Sequence, residues 1–445
     1  MRLREVFRRG DPAIWFTGAG LGVSLLMITG MIALILVNGL GVFWPKRIVK
    51  LNLSDGTTVM GELVTREAIP RPDAPEKARE TRIQIKVGNR DLFGADFRWI
   101  DEPAIASRSW PSDAVYVERR EYGPFIGTVK TMDDKRVVLV AADGQEKELA
   151  TEDIFRMYRA NDLSVTGRVK VYASRMWEFF SSEPRESNTE GGIFPAIFGT
   201  VMMVMLMSIV AVPFGVLAAL YLREYARQGL MVRIVRIAVN NLAGVPSIVF
   251  GLFGLGFFVY FVGGSLDRAF FADRLPTPTF GTGGILWAAL TLGLLTVPVV
   301  IVASEEALGA VPRSMREASL AAGATKFQTI MRVVLPAAAP GILTGLILAM
   351  ARGAGEVAPL MITGVVKLAP DMPIDGIAPF LHLDRKFMHL GFHIYDVGFQ
   401  SPNVEAAKPM VYATAIFLLL IVVALNLTAI VVRNHLRKRY QTSAF

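Results

Sequence analysis

The sequence predicts a mainly α-helical membrane protein of six transmembrane helices, with a small β-rich domain inserted after the first. Three observations carry that prediction. Of 445 residues, 52% are apolar and 19% charged, and mean hydropathy is +0.43; a soluble globular chain carries about a quarter charged residues. Six apolar segments, approximately 13–42, 195–221, 237–262, 284–303, 337–365 and 410–432, stand out; each is long enough for a hydrocarbon core that takes about 20 residues to cross. Between the first two, charges, prolines and period-two alternation return.

The same composition excludes other classes. A net charge of +8 fits basic cytoplasmic loops, and no basic cluster on a soluble fold suggests a nucleic-acid partner. The chain has no cysteine, so disulfides and thiolate metal sites are out, and its 4 histidines are too scattered to suggest a metal centre.

Residues 1–44 read as a cytoplasmic N-terminus and a retained anchor. The start MRLREVFRRG imitates a secretion signal, but Ala13 to Trp44 is uncharged throughout and no small-residue cleavage site follows. Arg2, Arg4, Arg8 and Arg9 precede this span; Arg223, Arg227, Arg233 and Arg236 separate spans two and three. Arg313, Arg316, Lys326 and Arg332 separate spans four and five, and RNHLRKRY follows span six. With six spans all these segments share one side, the cytoplasmic one, which places both termini inside and the insert outside. In a bacterium that is the inner membrane, with the insert in the periplasm.

Residues 45–190 are the insert and its linker. TRIQIKV (Thr81 to Val87) alternates apolar and polar, and DAVYVERR, FIGTVK and RVVLV are rich in β-branched residues. Turn chemistry separates them at Ser54-Asp55-Gly56, Gly88-Asn89 and Asp143-Gly144, and a proline-rich loop is expected over Ile69 to Lys77. A helical link, LSVTGRVKVYASRMWEFF, and a polar linker, SSEPRESNTEGG, lead into a core over 191–435, followed by a basic tail, 436–445. No nucleophile–base constellation stands out in the insert, and no catalytic residue is expected.

Residues 305–336 form the loop between spans four and five. Glu305 to Leu308 and Arg313 to Ala322 have helical composition, Pro312 suits a first turn, and Gly323 suits a stop. Two short amphipathic helices joined by a glycine corner are expected, with Leu335-Pro336 starting the return into the membrane. The spacing Glu317-Ala318-Ser319, three residues, Gly323, nine residues, Val333, one residue, Leu335-Pro336 resembles the "EAA" loop of binding-protein-dependent ABC importer permeases. Ser for the second Ala and Val for Ile are mild departures. The resemblance implies the type I ABC importer fold and a coupling helix that docks on an ATPase, with Glu317, Ala318, Gly323, Leu335 and Pro336 at that junction. The chain has no G-x-x-x-x-G-K-[ST] loop of its own, so ATP and Mg belong to a partner ATPase and this chain binds no cofactor.

The run LTGLILAMARGAGEVAPLMITGVV (Leu343 to Val366) places Arg352 and Glu356 inside the fifth apolar segment. Charges at that depth cost about 2.5–3.5 kcal/mol each on insertion scales, so they face a partner or a cavity. Four residues apart, they share a helix face and can pair. Such a pair either neutralises itself or lines an oxyanion path, since a guanidinium matches phosphate with a fork of donors. ARGAGEVAPL (Ala351 to Leu360) resembles the ARA-x-GE-TAPL signature of PstA-type phosphate permeases, with Gly353 for Ala and Val357 for Thr. LAGVPSIVFGLFGLG (Leu242 to Gly256) and Val212-Pro213-Phe214-Gly215 also resemble segments of these permeases, and the likeness covers roughly 195–365. It implies Arg352 and Glu356 as the substrate pair. The partners it implies are a second permease of the C type, two ATPase subunits and a periplasmic phosphate-binding protein.

Rival readings are an importer of another oxyanion, such as sulfate or molybdate, and a membrane phosphate sensor built on the β-domain. An ion-coupled secondary transporter would need no coupling loop. Elsewhere, VMMVMLM (Val201 to Met207) reads as span filler. Gly341-x-x-x-Gly345 permits close helix approach. Leu383 to Asn403, with two of the four histidines and a third, His382, just before it, reads as an outside loop, either plain or a gate cap or docking surface.

Overall fold

The structure is a computed structural model, and it describes residues 11–69, 80–185, 188, 190–401 and 404–441. The expected proline-rich loop falls, from residue 70 on, outside the described residues, as do the four N-terminal arginines. The chain forms two compact units: residues 1–192 with 397–416, and residues 193–396 with 417–445.

Among the described residues the first unit holds the anchor helix, Asp11–Gly41, ten strands in two five-stranded antiparallel sheets, and a two-stranded ladder of Pro184–Arg185 with Glu190–Gly191. One sheet comprises β1 (Ile48–Leu53), β2 (Thr58–Ala68), β3 (Thr81–Lys86), β4 (Phe97–Asp101) and β5 (Ile105–Ser109), in the order β4-β3-β2-β1-β5. The other comprises β6 (Val115–Arg119), β7 (Phe125–Met132), β8 (Arg136–Val140), β9 (Glu146–Ala150) and β10 (Ile154–Arg159), in the order β10-β6-β7-β8-β9. The alternation read in TRIQIKV is strand β3.

Local chemistry sets the turns. Asp55 accepts hydrogen bonds from Thr57 N at 2.8 Å and Thr57 Oγ1 at 2.6 Å, and Asp143 accepts from Gln145 N at 3.1 Å, each closing an Asx turn. Asn89 does more than turn the chain. Its side chain exchanges two hydrogen bonds with the Ile126 backbone, at 2.8 and 2.9 Å, and so ties the two sheets together. Val49, Leu51, Ile83, Ile85 and Ile100 fill the first core; Val117, Phe125, Val137 and Leu139 fill the second.

The second unit is helical. Counting both units, six helices among the described residues are long and apolar enough to cross a membrane: Trp15–Gly41, Phe194–Tyr225, Ser247–Phe270, Ile285–Ala310, Lys326–Gly355 and Ala407–Lys438. The third differs from the expected 237–262. Leu230–Leu242 is a separate helix, and the chain breaks at Gly244–Pro246 before Ser247. The break is forced locally, because Pro246 has no N–H to carry a helical ladder. Arg233, Arg236, Asn240 and Asn241 also make the preceding helix too polar to bury in lipid. The core of this unit gathers Met203, Met207, Leu292, Leu295, Met350 and Leu360, so the methionine run is packing, as its composition suggests.

Candidate functional site: a broken span and an exposed corner

The run Leu343 to Val366 folds as two helices, not one. Leu335–Gly355 ends at Gly355; Glu356 is extended (φ −77°, ψ 132°), and a short helix resumes over Ala358–Thr363. Pro359 causes the break: without an N–H it cannot bond the Gly355 carbonyl, and its ring crowds that oxygen, yet near the start of a new helix it fits. The expectation of one continuous face is therefore corrected. Arg352 sits in the last turn, where a cation suits the helix dipole, and Glu356 is the first residue beyond it.

The pair survives the break. Arg352 Nε lies 3.6 Å from Glu356 Oε1, with side chains 33% and 20% exposed. That is an ion pair longer than a hydrogen bond. Among the described residues neither side chain has a hydrogen-bond partner, so both terminal nitrogens of the guanidinium keep their donors uncommitted.

Three segments close on the break. A Cβ on Gly353 would run into Met207 Sδ; one on Gly251 would lie 2.7 Å from Pro359 Cα; one on Gly391 would lie 2.8 Å from Val357 Cγ2. Small residues at these crossings let the backbones approach and hold the break in place.

The loop between the fourth and fifth spans is built as a corner. Arg313–Ala321 is a helix, Gly323 turns with φ +84°, and Lys326–Thr329 follows with a capping box between Thr325 and Gln328. Glu305 to Leu308, expected as a short separate helix, are the last turns of Ile285–Ala310, because nothing before Val311 interrupts the helical ladder. Glu317, Ala318 and Gly323 are exposed, whereas Leu335 and Pro336 are half-buried, and Leu335 packs against the core around Leu308 and Val334. Ser319, a departure from the Ala of the motif, shares a hydrogen bond of 2.9 Å with buried Thr329 across the corner.

The family described as "Binding-protein-dependent transport system inner membrane component" matches residues 211–442, more than half of the chain. The phosphate transport system permease protein PstA 1 of Mycobacterium tuberculosis is 35% identical over 247 residues, covering 55% of this chain and 70% of that protein. The chain belongs to this family, as a PstA-type permease. The probable phosphate transport system permease protein PstA of Methanocaldococcus jannaschii is 32% identical over 241 residues, covering 53% of the permease and 74% of the relative. Among solved structures, the inward-facing MetNI methionine ABC transporter overlays with a TM-score of 0.40 at 18% identity, covering 59% of this chain and 98% of that one.

Two features of the permease escaped the sequence reading. Arg316 anchors the corner: it donates to Val311 O at 2.6 Å, to Leu308 O at 2.8 Å and to Glu224 Oε1 at 2.8 Å. Arg236 pairs with Glu305 at 3.0 Å, so residues counted only as basic loop charge are structural clamps. The second feature lies in Leu383 to Asn403. His389, His393 and Phe387 are buried, and Leu390 N donates to Thr200 Oγ1 at 2.9 Å, so this stretch is in part core and no plain outside loop. Burial pushes the His389 imidazole down to about 3 and the His393 imidazole down to about 4. The only advance signal was an apolar and aromatic composition unusual for a loop.

Proposed function

We propose that the chain is one permease subunit of an ATP-driven inorganic phosphate importer of a bacterial inner membrane. The observation that carries the proposal is Arg352, held 3.6 Å from Glu356 at a helix break with its terminal donors uncommitted. A guanidinium in that state presents two parallel donors to a tetrahedral oxyanion. Glu356 orients the fork and weakens its hold on the anion, which a transport site needs because it must also release. The relatives, named as phosphate transport permeases, support phosphate over other oxyanions.

In this reading the Arg313–Ala321 helix, with Glu317, Ala318 and Gly323 at its exposed end, docks on the ATPase, and Leu335 and Pro336 relay its motion into the fifth span. A second permease of the C type completes the path. Two ATPase subunits hold ATP and Mg, and an external phosphate-binding protein delivers the substrate. The basic segments lie in the cytoplasm with both termini, and the β-rich insert lies outside. This subunit breaks no bond; it supplies path and gate.

The test is uptake of radiolabelled phosphate, with sulfate as control, in cells lacking their own high-affinity importer and co-expressing the neighbouring subunits. Phosphate-selective uptake that falls to background in Arg352→Gln, and only partly in Arg352→Lys, at equal membrane levels, supports the path. Uptake unchanged in Arg352→Gln makes the pair a neutraliser of the span. Wild-type uptake of sulfate in preference to phosphate assigns another oxyanion.

A further inference from the structure

The first unit contains a cavity of about 680 Å³. Its rim is made by the ends of two spans: Gly41 and Trp44, where the anchor finishes, and Lys408 and Tyr412, where the last apolar helix begins. The two cross closely, because a Cβ on Gly39 would lie 2.8 Å from the Tyr412 carbonyl oxygen. The mouth of the cavity therefore lies where hydrocarbon gives way to headgroups, the level at which Trp and Tyr collect.

The walls carry opposite charges that do not meet. Glu62 on β2 and Lys86 on β3 are direct cross-strand partners, yet among the described residues no ion pair joins them. Glu62 is 8% exposed, and among the described residues its Oε1 has no hydrogen-bond partner. Leaving a buried carboxylate unpaired is costly. Lys86 Nζ donates to Tyr116 Oη at 3.3 Å, which leaves two of its three N–H groups available.

Behind them runs a relay of ion pairs that satisfies its own carboxylates. Glu118 accepts from Arg156 and Arg175, each at 2.6 Å, and Glu178 accepts from Arg156 at 3.0 Å and Arg185 at 2.6 Å. Three guanidinium groups share these two carboxylates, Glu190 stands opposite Arg185 in a short two-stranded ladder, and among the described residues the buried Nε of Arg185 has no hydrogen-bond partner. The cavity thus sets the open acceptor of Glu62 beside the open donors of Lys86 and Arg185.

A ligand that answers both needs is a zwitterion with a primary ammonium and an oxyanion. We propose that the cavity binds a phosphoethanolamine group, supplied as the headgroup of phosphatidylethanolamine. The ammonium donates to Glu62, the phosphodiester accepts from Lys86 and Arg185, and the acyl chains leave past the Trp44 and Tyr412 rim into the bilayer. Phosphatidylcholine has the same charges but no N–H to give Glu62, and phosphatidylglycerol brings only negative charge to it. The soluble glycerophosphoethanolamine has the polar chemistry without the chains.

The experiment is native mass spectrometry of the full-length permease released from nanodiscs of equal phosphatidylethanolamine, phosphatidylcholine and phosphatidylglycerol. Retained phosphatidylethanolamine is expected to exceed phosphatidylcholine by about tenfold, the worth of one charge-assisted hydrogen bond, and Glu62→Gln to abolish that preference. Lys86→Met is expected to lower retention of all three lipids. Thermal stabilisation of the wild type by phosphatidylethanolamine over phosphatidylcholine reads the same preference without any variant. Equal retention of the two zwitterionic lipids by the wild type overturns the proposal, as does an unchanged preference in a folded Glu62→Gln. Glycerophosphoethanolamine that stabilises the wild type as well as the lipid does overturns the lipid as the source.

Discussion

Arg316 Nη2 donates to Glu224 Oε1 at 2.8 Å, joining two residues 92 positions apart and fastening the exposed Gly323 corner to the end of the second span. The same guanidinium holds the carbonyls of Leu308 and Val311, which the end of the Ile285–Ala310 helix would otherwise leave open. Force applied at the exposed corner therefore passes through one side chain into two spans.

Removing either partner should expose that asymmetry. Arg316→Gln loses the ion pair and both carbonyl bonds and is expected to cost about 2–3 kcal/mol, whereas Glu224→Gln keeps the carbonyl bonds and costs about 1 kcal/mol. Thermal unfolding of the purified permease gives the order. Equal losses would mean that the carbonyl bonds contribute nothing.

Gly323 tests why a glycine stands at the corner. Nothing lies within 4 Å of a Cβ built there, but φ is +84°, a conformation that costs an alanine about 1–2 kcal/mol and an asparagine less. Gly323→Ala should lower the unfolding temperature more than Gly323→Asn does. If uptake falls equally in both while stability does not, the glycine is needed for room against a partner surface.

Gly353 faces Met207, which is fully buried in the span core. Gly353→Ala forces the sulfur to move and is expected to cost about 1–3 kcal/mol by overpacking. Shortening the neighbour in Gly353→Ala with Met207→Val should recover part of the loss. The measurement is thermal unfolding of the two variants against wild type, and a double variant worse than the single one would refute the contact.

The buried histidines give stability a pH dependence of defined sign. In the unfolded chain they titrate near 6.5, whereas in the fold they titrate at about 3 and about 4, so below 6.5 the unfolded state binds the extra protons. Stability is full above pH 6.5 and is lost as pH falls toward 4, by about 1.4 kcal/mol per pH unit for each histidine. The unfolding midpoint of wild type between pH 7.5 and 5 should drop more steeply than that of His389→Asn, whose side-chain oxygen can still accept from Gly391 N. Parallel slopes would show that His389 is not held neutral.

How much of this molecule is legible in the sequence depends on how local each signal is. Asp55-Gly56 and Asp143-Gly144 turn the strands through contacts two residues apart, and Gly323 stops its helix by its own φ. Such features survive in any tertiary setting, and so they read correctly. The fifth apolar segment misled because hydropathy averages over a window, and the absent N–H of Pro359 does not register in that average. The chain nonetheless carried the break on its face, as Gly355 and Pro359.

The sequence by itself determined the six apolar helices, the β-rich insert, the corner at Gly323 and the presence of a guanidinium and a carboxylate in one apolar segment, because hydropathy, alternation and turn chemistry are properties of neighbours. Tertiary structure alone decided which charges are satisfied. Arg316 finds Glu224 and Leu390 finds Thr200 across 92 and 190 positions, while Glu62 faces Lys86 across the β2–β3 pair without meeting it. The reason is physical: an ion pair or hydrogen bond depends on distances of a few ångströms, and only packing sets the distance between residues remote in the chain.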